Sequence, residues 1–283
     1  MENAPTLVSE GQYLLVYNAF SFTFATMAAA TLFLWLGRAN VAPPYKTALT
    51  ISGLVTAIAA YHYFRIFESW DASIEVLNGE VIATGLEFND AYRYVDWLLT
   101  VPLLLIELIL VMRLSQKETV SKSWKLGGAA ALMIILGYPG EVAESNGVRA
   151  LWGFLSSIPF AYIVYELFVG LGNSINRQPE NVRGLVKDAR LITFASWGFY
   201  PIVYMAPFVG LDGAAAETVV QVGYTLADIV AKAGIGVLIY VIAIRKSRAE
   251  YPHLYENELG TMGATTAGAE RTSESSVGAA PAE

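Results

Sequence analysis

The sequence contains seven long stretches in which apolar residues dominate, separated by short polar segments. A helix needs about 20 mostly apolar residues to cross a bilayer core of about 30 Å. The stretches exceed the length of a transmembrane strand and do not alternate with a period of two. The pattern therefore predicts an all-α membrane protein, a bundle of seven transmembrane helices. The predicted spans cover residues 12–37, 46–68, 90–114, 124–141, 148–171, 186–208 and 216–245.

The polar segments predict two further features. Between the second and third spans, the pair Asn78-Gly79 separates two short β-favouring runs in the sequence EVLNGEVIA, a pattern typical of a hairpin. After residue 250 the chain is rich in Gly, Ala, Ser, Thr and Glu, which indicates disorder. We therefore expect a seven-helix domain over residues 1–250 and a disordered tail over residues 251–283.

The charged residues predict the orientation of the bundle. Lys and Arg concentrate in the first, third and fifth loops and after the last span, where Arg245, Lys246 and Arg248 follow it. The second and sixth loops carry mainly acidic residues, with Arg149 as the main basic residue in an even-numbered loop. Because cytoplasmic loops carry an excess of Lys and Arg, the N-terminus is expected outside and the tail in the cytoplasm.

The composition supports a membrane protein and excludes several classes of site. Hydrophobic residues make up 55% of the chain and charged residues 15%, against about 25% charged in a typical soluble domain. The absence of cysteine excludes disulfides, thiolate metal sites and cysteine nucleophiles. Two histidines, His62 and His253, are too few for a histidine-rich metal site. The net charge of −7 argues against nucleic acid as a partner.

The third span carries ionisable residues at membrane depth. Arg93, Asp96 and Thr100 are spaced three and four residues apart, which places them on one helix face. Glu107 follows Asp96 by eleven residues, about three turns, so it returns to that face about 16 Å along the axis. Ionisable residues inside a membrane are costly and are functional candidates for that reason. For Arg93, a buried ion pair that fixes helix packing is the alternative interpretation.

The seventh span carries Asp228 and Lys232, four residues apart on one face. A packing role is a weaker explanation for Lys232, because an uncharged polar residue would serve it at lower cost. A buried lysine is the residue type that forms Schiff bases with carbonyl compounds. A protonated Schiff base needs a negative counterion, and both Asp96 and Asp228 are available for that role.

Several long runs resemble those of microbial rhodopsins, and in particular the xanthorhodopsin group. The resemblance covers about residues 12–245 and implies a light-driven outward proton pump in the plasma membrane of a prokaryote, with all-trans retinal as its cofactor. The runs that carry it are YHYFRIF (61–67), FNDAYRYVDWLLTVPLL (88–104), LGYPGE (136–141), LWGFLS (151–156), WGFYPI (197–202) and ADIVAKAG (227–234).

The resemblance implies a role for each membrane-embedded ionisable residue. Lys232 matches the lysine that carries all-trans retinal as a protonated Schiff base. Asp96 matches the primary counterion and proton acceptor, and Asp228 matches the second counterion. Glu107 matches the cytoplasmic proton donor. A carboxylic donor at that position favours a pump, since sensory relatives commonly lack one.

Three neighbouring residues are also matched. Arg93 matches the arginine on the outer side of the counterions, and Thr100 matches the hydroxyl one turn from the acceptor. His62 matches a histidine that hydrogen-bonds the acceptor, although a single histidine on an apolar helix is more often a core residue. For proton release, Glu141 and Glu217 lie near the outer surface, and no spacing selects either of them.

The resemblance also implies an apolar retinal pocket with aromatic walls. Gly153 replaces a tryptophan found in many relatives, which implies a side opening where a carotenoid antenna could lie against the retinal. The alternative is that this glycine only permits close helix packing. Pro201 within its span removes a hydrogen bond and is expected to kink the helix. The matched pocket positions are Trp97, Leu104, Met133, Gly137, Gly153, Trp197, Tyr200, Pro201 and Tyr224.

The partners expected from this interpretation are the lipid bilayer, protons, a carotenoid and further copies of the chain in a homo-oligomer. Two other functions stay open at this point. One is a photosensor that signals to a partner protein. The other is a seven-helix transporter or receptor without a chromophore, which would stay colourless when retinal is added.

Overall fold

A computed structural model describes residues 8–78, 80–205 and 213–255 of the chain. Within these residues, seven long helical segments form a bundle, as the apolar pattern predicts. The first four are α1 (Glu10–Gly37), α2 (Lys46–Ser73), α3 (Ala91–Met112) and α4 (Gln116–Glu141). The fifth segment consists of α5 (Asn146–Tyr165), a π-helical turn (Glu166–Gly170) and α6 (Gly172–Asn176). The sixth is α7 (Glu180–Tyr204). The seventh consists of α8 (Gly213–Asp228), a second π-helical turn (Ile229–Gly234) and α9 (Ile235–Glu250).

Several helices extend past the apolar stretches because local polar signals set their ends. The Ser115 side chain accepts a hydrogen bond from the backbone N–H of Glu118 and forms a capping box, so α4 begins at Gln116 and not near residue 124. The last helix runs to Glu250. Lys246, expected just after the last span, therefore lies inside a helix and is only 2% exposed.

A two-stranded antiparallel hairpin connects α2 and α3, as the sequence predicts. Strand β1 (Ile74–Leu77) pairs with β2 (Glu80–Ala83), and the register sets Ile74 opposite Ala83. Asn78 has a φ of 54°, the left-handed conformation that a tight hairpin turn of this type requires. Gly79, the other predicted turn residue, lies outside the described residues, as does most of the predicted tail (256–283).

Large apolar side chains lie on the outer surface of the bundle, and several charged side chains are buried inside it. Large apolar side chains such as Leu36 (73% exposed) and Ile202 (68% exposed) lie on the outer surface. Of the helical segments described, five are long and apolar enough to cross a membrane by length and composition. The other two long helices, α4 and α7, begin with polar turns and complete the bundle. This distribution is that of a multi-pass membrane protein, with lipid around the apolar surface.

The packing of α3 decides where the charged face points. α3 packs against α2 and α4, and also against α9. The π-helical turn between α8 and α9 packs against α1, α2 and α7. The ionisable face of α3 consequently meets the segment that carries Lys232 in the middle of the bundle.

Candidate functional site

Lys232 lies in the π-helical turn Ile229–Gly234, and its side chain is 1% exposed. π-Helical turns are rare and occur frequently at functional sites. The Nζ atom donates a hydrogen bond to Oδ2 of Asp228 at 2.9 Å and another to Oδ2 of Asp96. The structure therefore brings together the lysine and both carboxylates that the sequence proposes as its counterions.

Asp228 accepts three hydrogen bonds from neutral donors in addition to the bond from Lys232. The donors are the hydroxyls of Tyr63 at 2.8 Å and Tyr200 at 2.5 Å, and Nε1 of Trp97 at 3.1 Å. They come from α2, α7 and α3, so three helices converge on one carboxylate. Because hydrogen bonds to a charged group are stronger than neutral ones, this set stabilises the ionised form of Asp228.

Asp96 has fewer partners than Asp228. Its Oδ1 atom is buried and has no hydrogen bond within the part of the chain that the structure describes. Nδ1 of His62 lies 3.8 Å from that atom and instead contacts the backbone carbonyl of Ile58 at 2.9 Å. The expected hydrogen bond between His62 and Asp96 is therefore not formed in this structure, because the ring bonds within its own helix. Thr100 donates to the backbone carbonyl of Asp96 at 2.8 Å.

Arg93 is completely buried and lies about one turn of α3 before Asp96. Its Nε atom pairs with Asp90 at 3.2 Å, and Nη1 donates to the Tyr63 hydroxyl at 3.4 Å. Nη2 donates to the side chain of Gln221, which in turn donates to Glu217 at 2.9 Å. Tyr63 thus links the guanidinium to Asp228, and the polar chain continues from Arg93 to the α8 carboxylate.

Glu107 lies on the same face of α3 at the opposite end of the site. It is 0% exposed, and neither carboxyl oxygen has a hydrogen bond among the described residues. Its sequence neighbours Leu105 and Leu108 are also buried, and the Ser52 side chain of α2 lies beside it. A buried carboxyl group with so little compensation is more stable in its neutral form. The predicted face of α3 is thus buried at all four positions.

A cavity of about 520 Å³ extends from Lys232 between α3, α4, α5, α7 and α8. Ligand pockets commonly have volumes of about 300–1,000 Å³ and mainly apolar walls. Every residue that the sequence proposed for the pocket lines this one cavity. They are Trp97, Leu104, Met133, Gly137, Gly153, Trp197, Tyr200, Pro201, Tyr224 and Lys232.

On the α5 side, the cavity approaches the surface of the bundle. Phe154 lines it and is also 65% exposed. Gly153 faces the ring of Tyr204, where an added Cβ atom would lie 3.0 Å from the ring. Tyr204 donates to the carbonyl of Arg149 at 2.7 Å, and the Arg149 guanidinium lies 5.0 Å from the ring centre. The Tyr204 ring of α7 therefore packs against Gly153 and bounds the cavity at that position.

Several residues of the site are not among those that the sequence predicts. Tyr63 lies within the run YHYFRIF, but only its contact with Asp228 across the bundle reveals its role. Ala150, Phe154 and Ser157 also line the cavity. Together with Gly153 they follow the i, i+3, i+4, i+7 spacing of one helix face, and this spacing could have identified them. Glu141 accepts hydrogen bonds from Tyr94 at 3.0 Å and Tyr224 at 3.3 Å, close to the cavity but outside the carboxylate cluster.

Comparisons with known proteins agree with this geometry. The family model for bacteriorhodopsin-like proteins matches residues 16–246. The chain is 33% identical over 236 residues to the green-light absorbing proteorhodopsin of Gamma-proteobacterium EBAC31A08, which covers 82% of this chain and 88% of that protein.

Two solved structures are also similar. Xanthorhodopsin, a light-driven ion pump with dual chromophore, is 54% identical with a TM-score of 0.83, over 87% of this chain and 99% of that one. A thermophilic rhodopsin is 48% identical with a TM-score of 0.84, over 88% and 100%. The match spans the whole bundle and includes the segments that carry the buried lysine and its carboxylates. The chain therefore belongs to the bacteriorhodopsin-like family of microbial rhodopsins and is a multi-pass protein of the prokaryotic plasma membrane.

Proposed function

We propose that this chain is a light-driven outward proton pump that uses all-trans retinal bound to Lys232. The observation that carries the proposal is the position of the Lys232 amine. It lies at the inner end of a largely apolar cavity and between two carboxylates with unequal sets of hydrogen bonds. Similarity to xanthorhodopsin, which is described as a light-driven ion pump, supports the same function.

The cavity fits all-trans retinal in size and chemistry. An elongated apolar aldehyde needs a narrow apolar space with one amine at its end, and Lys232 supplies that amine. The rings of Trp97 and Trp197 line this space, and Met133 and Gly137 line the part formed by α4. When bound to Lys232 as a protonated Schiff base, retinal supplies absorption of a visible photon and an isomerisation that displaces the N–H group.

The first proton transfer runs from Nζ of Lys232 to Asp96. Asp96 accepts in preference to Asp228, because Asp228 loses the stabilisation from three neutral donors when its charge is removed. Asp96 has a buried Oδ1 atom without a hydrogen bond, so protonation of this carboxylate costs less. Arg93 remains charged on the outer side and connects to Glu217 through Gln221.

The second transfer restores the proton on Nζ of Lys232 from Glu107. An apolar environment keeps Glu107 neutral at rest, so that it holds a proton ready for donation. Glu107 then takes up a proton from the cytoplasmic side. Since acceptor and donor lie on opposite sides of Lys232, one proton moves outward in each cycle. Moving one charge against 100 mV costs about 2.3 kcal/mol, which is small beside the energy of a visible photon.

We extend the proposal to a carotenoid antenna and to a homo-oligomer. The cavity wall at Gly153 and Phe154 offers an apolar contact between α5 and α7 for an elongated pigment. Xanthorhodopsin carries two chromophores, which supports the antenna by analogy. The segment after residue 250 is proposed to be a cytoplasmic tail outside the pump itself.

The test is a light-induced pH change in an unbuffered suspension of cells that express the protein with added retinal. Acidification that a protonophore abolishes is the expected result. The control is Lys232→Arg, which keeps a cation but has no amine able to bind the aldehyde, and it should be colourless and inactive. A coloured protein without a pH change would favour a sensor or another ion, and a colourless parent protein would contradict retinal binding.

A further inference from the structure

A second buried lysine lies near the other end of α9. Nζ of Lys246 donates to the backbone carbonyl oxygens of Val111 at 3.2 Å and Met112 at 3.3 Å, and to Oε1 of Gln178 at 2.8 Å. Nε2 of Gln178 donates to the same Met112 carbonyl at 3.0 Å. We call Lys246, Gln178 and these two carbonyls the Lys246 cluster. It joins α9 to the last turn of α3 and to the segment before α7.

Additional contacts attach the start of α2 to the same region. The Lys246 ammonium lies 5.5 Å from the centre of the Tyr45 ring and 4.0 Å from Oε1 of Glu250. Tyr45 donates to Glu250 at 2.5 Å, and Arg113 lies 3.7 Å from the same carboxylate. Polar contacts at one level therefore join α3 and α9 to the segments that precede α2 and α7, with Lys246 buried and Arg113 and Glu250 partly exposed.

The cluster lies on the predicted cytoplasmic side of Glu107. Val111 follows Glu107 by four residues, so its carbonyl lies about 6 Å further along the α3 axis towards the predicted cytoplasmic side. Val111, Met112 and Ile242 are at most 2% exposed, so apolar side chains fill the interior near this level. A proton that reaches Glu107 from the cytoplasm must cross the level of the Lys246 cluster.

We propose that the Lys246 cluster closes the cytoplasmic entry to Glu107, and that its opening limits the rate of proton uptake. The proposal rests on the role of Glu107 as donor given under Proposed function. Lys246 is a positioning residue in this scheme, because it acts through the contact between α3 and α9. Its acceptors are mainly neutral dipoles on separate elements, so separation of those elements removes the hydrogen bonds without leaving a carboxylate unpaired.

The competing explanation is a structural one. A cation near the C-terminal carbonyls of α3 stabilises the end of that helix, whether or not the cluster opens. The two explanations differ in kinetics. A structural role predicts lower thermal stability and unchanged proton uptake, whereas a closed entry predicts faster uptake when the hydrogen bonds are removed.

The experiment measures proton uptake after a light flash, with a pH-indicator dye on the purified protein with retinal. Lys246→Met keeps the apolar part of the side chain and removes the charge. Gln178→Leu removes the hydrogen bonds of Gln178 to Lys246 and to the Met112 carbonyl without changing any charge. The matched control is Arg245→Met, which removes a cation from the neighbouring, exposed position of α9. Faster uptake is expected in both cluster variants and not in the control. The increase should be about tenfold in Gln178→Leu, in line with loss of one charge-assisted hydrogen bond, and larger in Lys246→Met, which loses three.

Unchanged or slower uptake in the two cluster variants would overturn the proposal, whatever happens to their melting temperatures. Glu107→Gln separates this failure from failure of the proposed function. If uptake in Glu107→Gln equals that of the parent protein, Glu107 is not the donor and the proposed function fails instead.

A measurement on the unmodified protein keeps the proposal testable if a variant does not fold. Amide hydrogen exchange of residues 244–251 is compared in darkness and under continuous illumination. Opening of the cluster should raise exchange in this segment in the light. Equal exchange in both conditions would contradict the proposal.

Discussion

The unequal hydrogen bonding of the two carboxylates leads to a prediction about which of them accepts the proton. The perturbation is the double substitution Tyr63→Phe with Tyr200→Phe. It removes two hydroxyl donors from Asp228 and keeps both rings, whose packing against Phe20 and Trp97 is part of the bundle core. Asp96 has no contact with either hydroxyl among its hydrogen bonds, so its own partners are preserved.

The magnitude follows from the lost hydrogen bonds. A hydrogen bond to a charged group contributes about 1.5–3 kcal/mol, so the two hydroxyls together stabilise the Asp228 carboxylate by about 3–6 kcal/mol. At about 1.4 kcal/mol per factor of ten, the preference for protonating Asp96 falls by about 100- to 10,000-fold. Only the Trp97 donor at 3.1 Å then remains beside the Lys232 contact to Asp228. Protonation should shift in part to Asp228.

The assay is light-induced infrared difference spectroscopy of the carboxylic C=O stretch. In the parent protein, the band of the protonated acceptor should disappear when Asp96→Asn is introduced. In the double variant, a second band should persist in the Asp96→Asn background and disappear with Asp228→Asn. A double variant whose only acceptor band is that of Asp96 would refute the argument that hydrogen bonding selects the acceptor.

Three further predictions test other parts of the site. Lys232→Ala should abolish the visible band, and a mutant that still gives a red-shifted band with retinal would show that another residue binds it. Glu107→Gln should slow the late recovery of the photocycle by about 100-fold, the lower range for loss of a proton-transfer group, as followed by flash spectroscopy, and parental recovery would exclude the donor role. Gly153→Trp should abolish energy transfer from an added carotenoid in excitation spectra, because the indole would fill the space beside the cavity where the carotenoid is proposed to lie. Space there is already limited, since a Cβ atom at position 153 would lie 3.0 Å from the Tyr204 ring. Pumping without carotenoid should remain, and retained energy transfer would place the antenna elsewhere.

The sequence predicts relations within a single helix reliably, and the α3 face is the example. Arg93, Asp96, Thr100 and Glu107 fall on one side because the helix repeat fixes their angular positions. Their cost inside a membrane then requires that side to face the bundle interior, and all four are buried. Asn78 in the hairpin turn is a second example, since the turn geometry depends on adjacent residues.

Contacts between helices could be predicted only through the family resemblance or not at all. The pocket residues were assigned by matching positions, and their convergence on one cavity depends on how five helices are rotated and packed. The expected hydrogen bond between His62 and Asp96 is absent, because the imidazole bonds to Ile58 four residues earlier in the same helix. The sequence pattern does not show whether Nδ1 of His62 bonds to the Ile58 carbonyl or to the Asp96 carboxylate.

Lys246 shows the same division at the end of the last helix. In the sequence, Lys246 is one of several basic residues at the end of the last apolar span, and it is not distinguished from the others as an indicator of the cytoplasmic side. The tertiary structure turns it inward, against the carbonyls of α3 and the amide of Gln178. The sequence by itself thus determined the helices, their membrane character and the face that carries the charges, since these follow from local periodicity and the cost of burying charge in lipid. Only the tertiary structure decided which buried groups meet, because hydrogen bonds between helices depend on the relative rotation and depth of segments far apart in the chain.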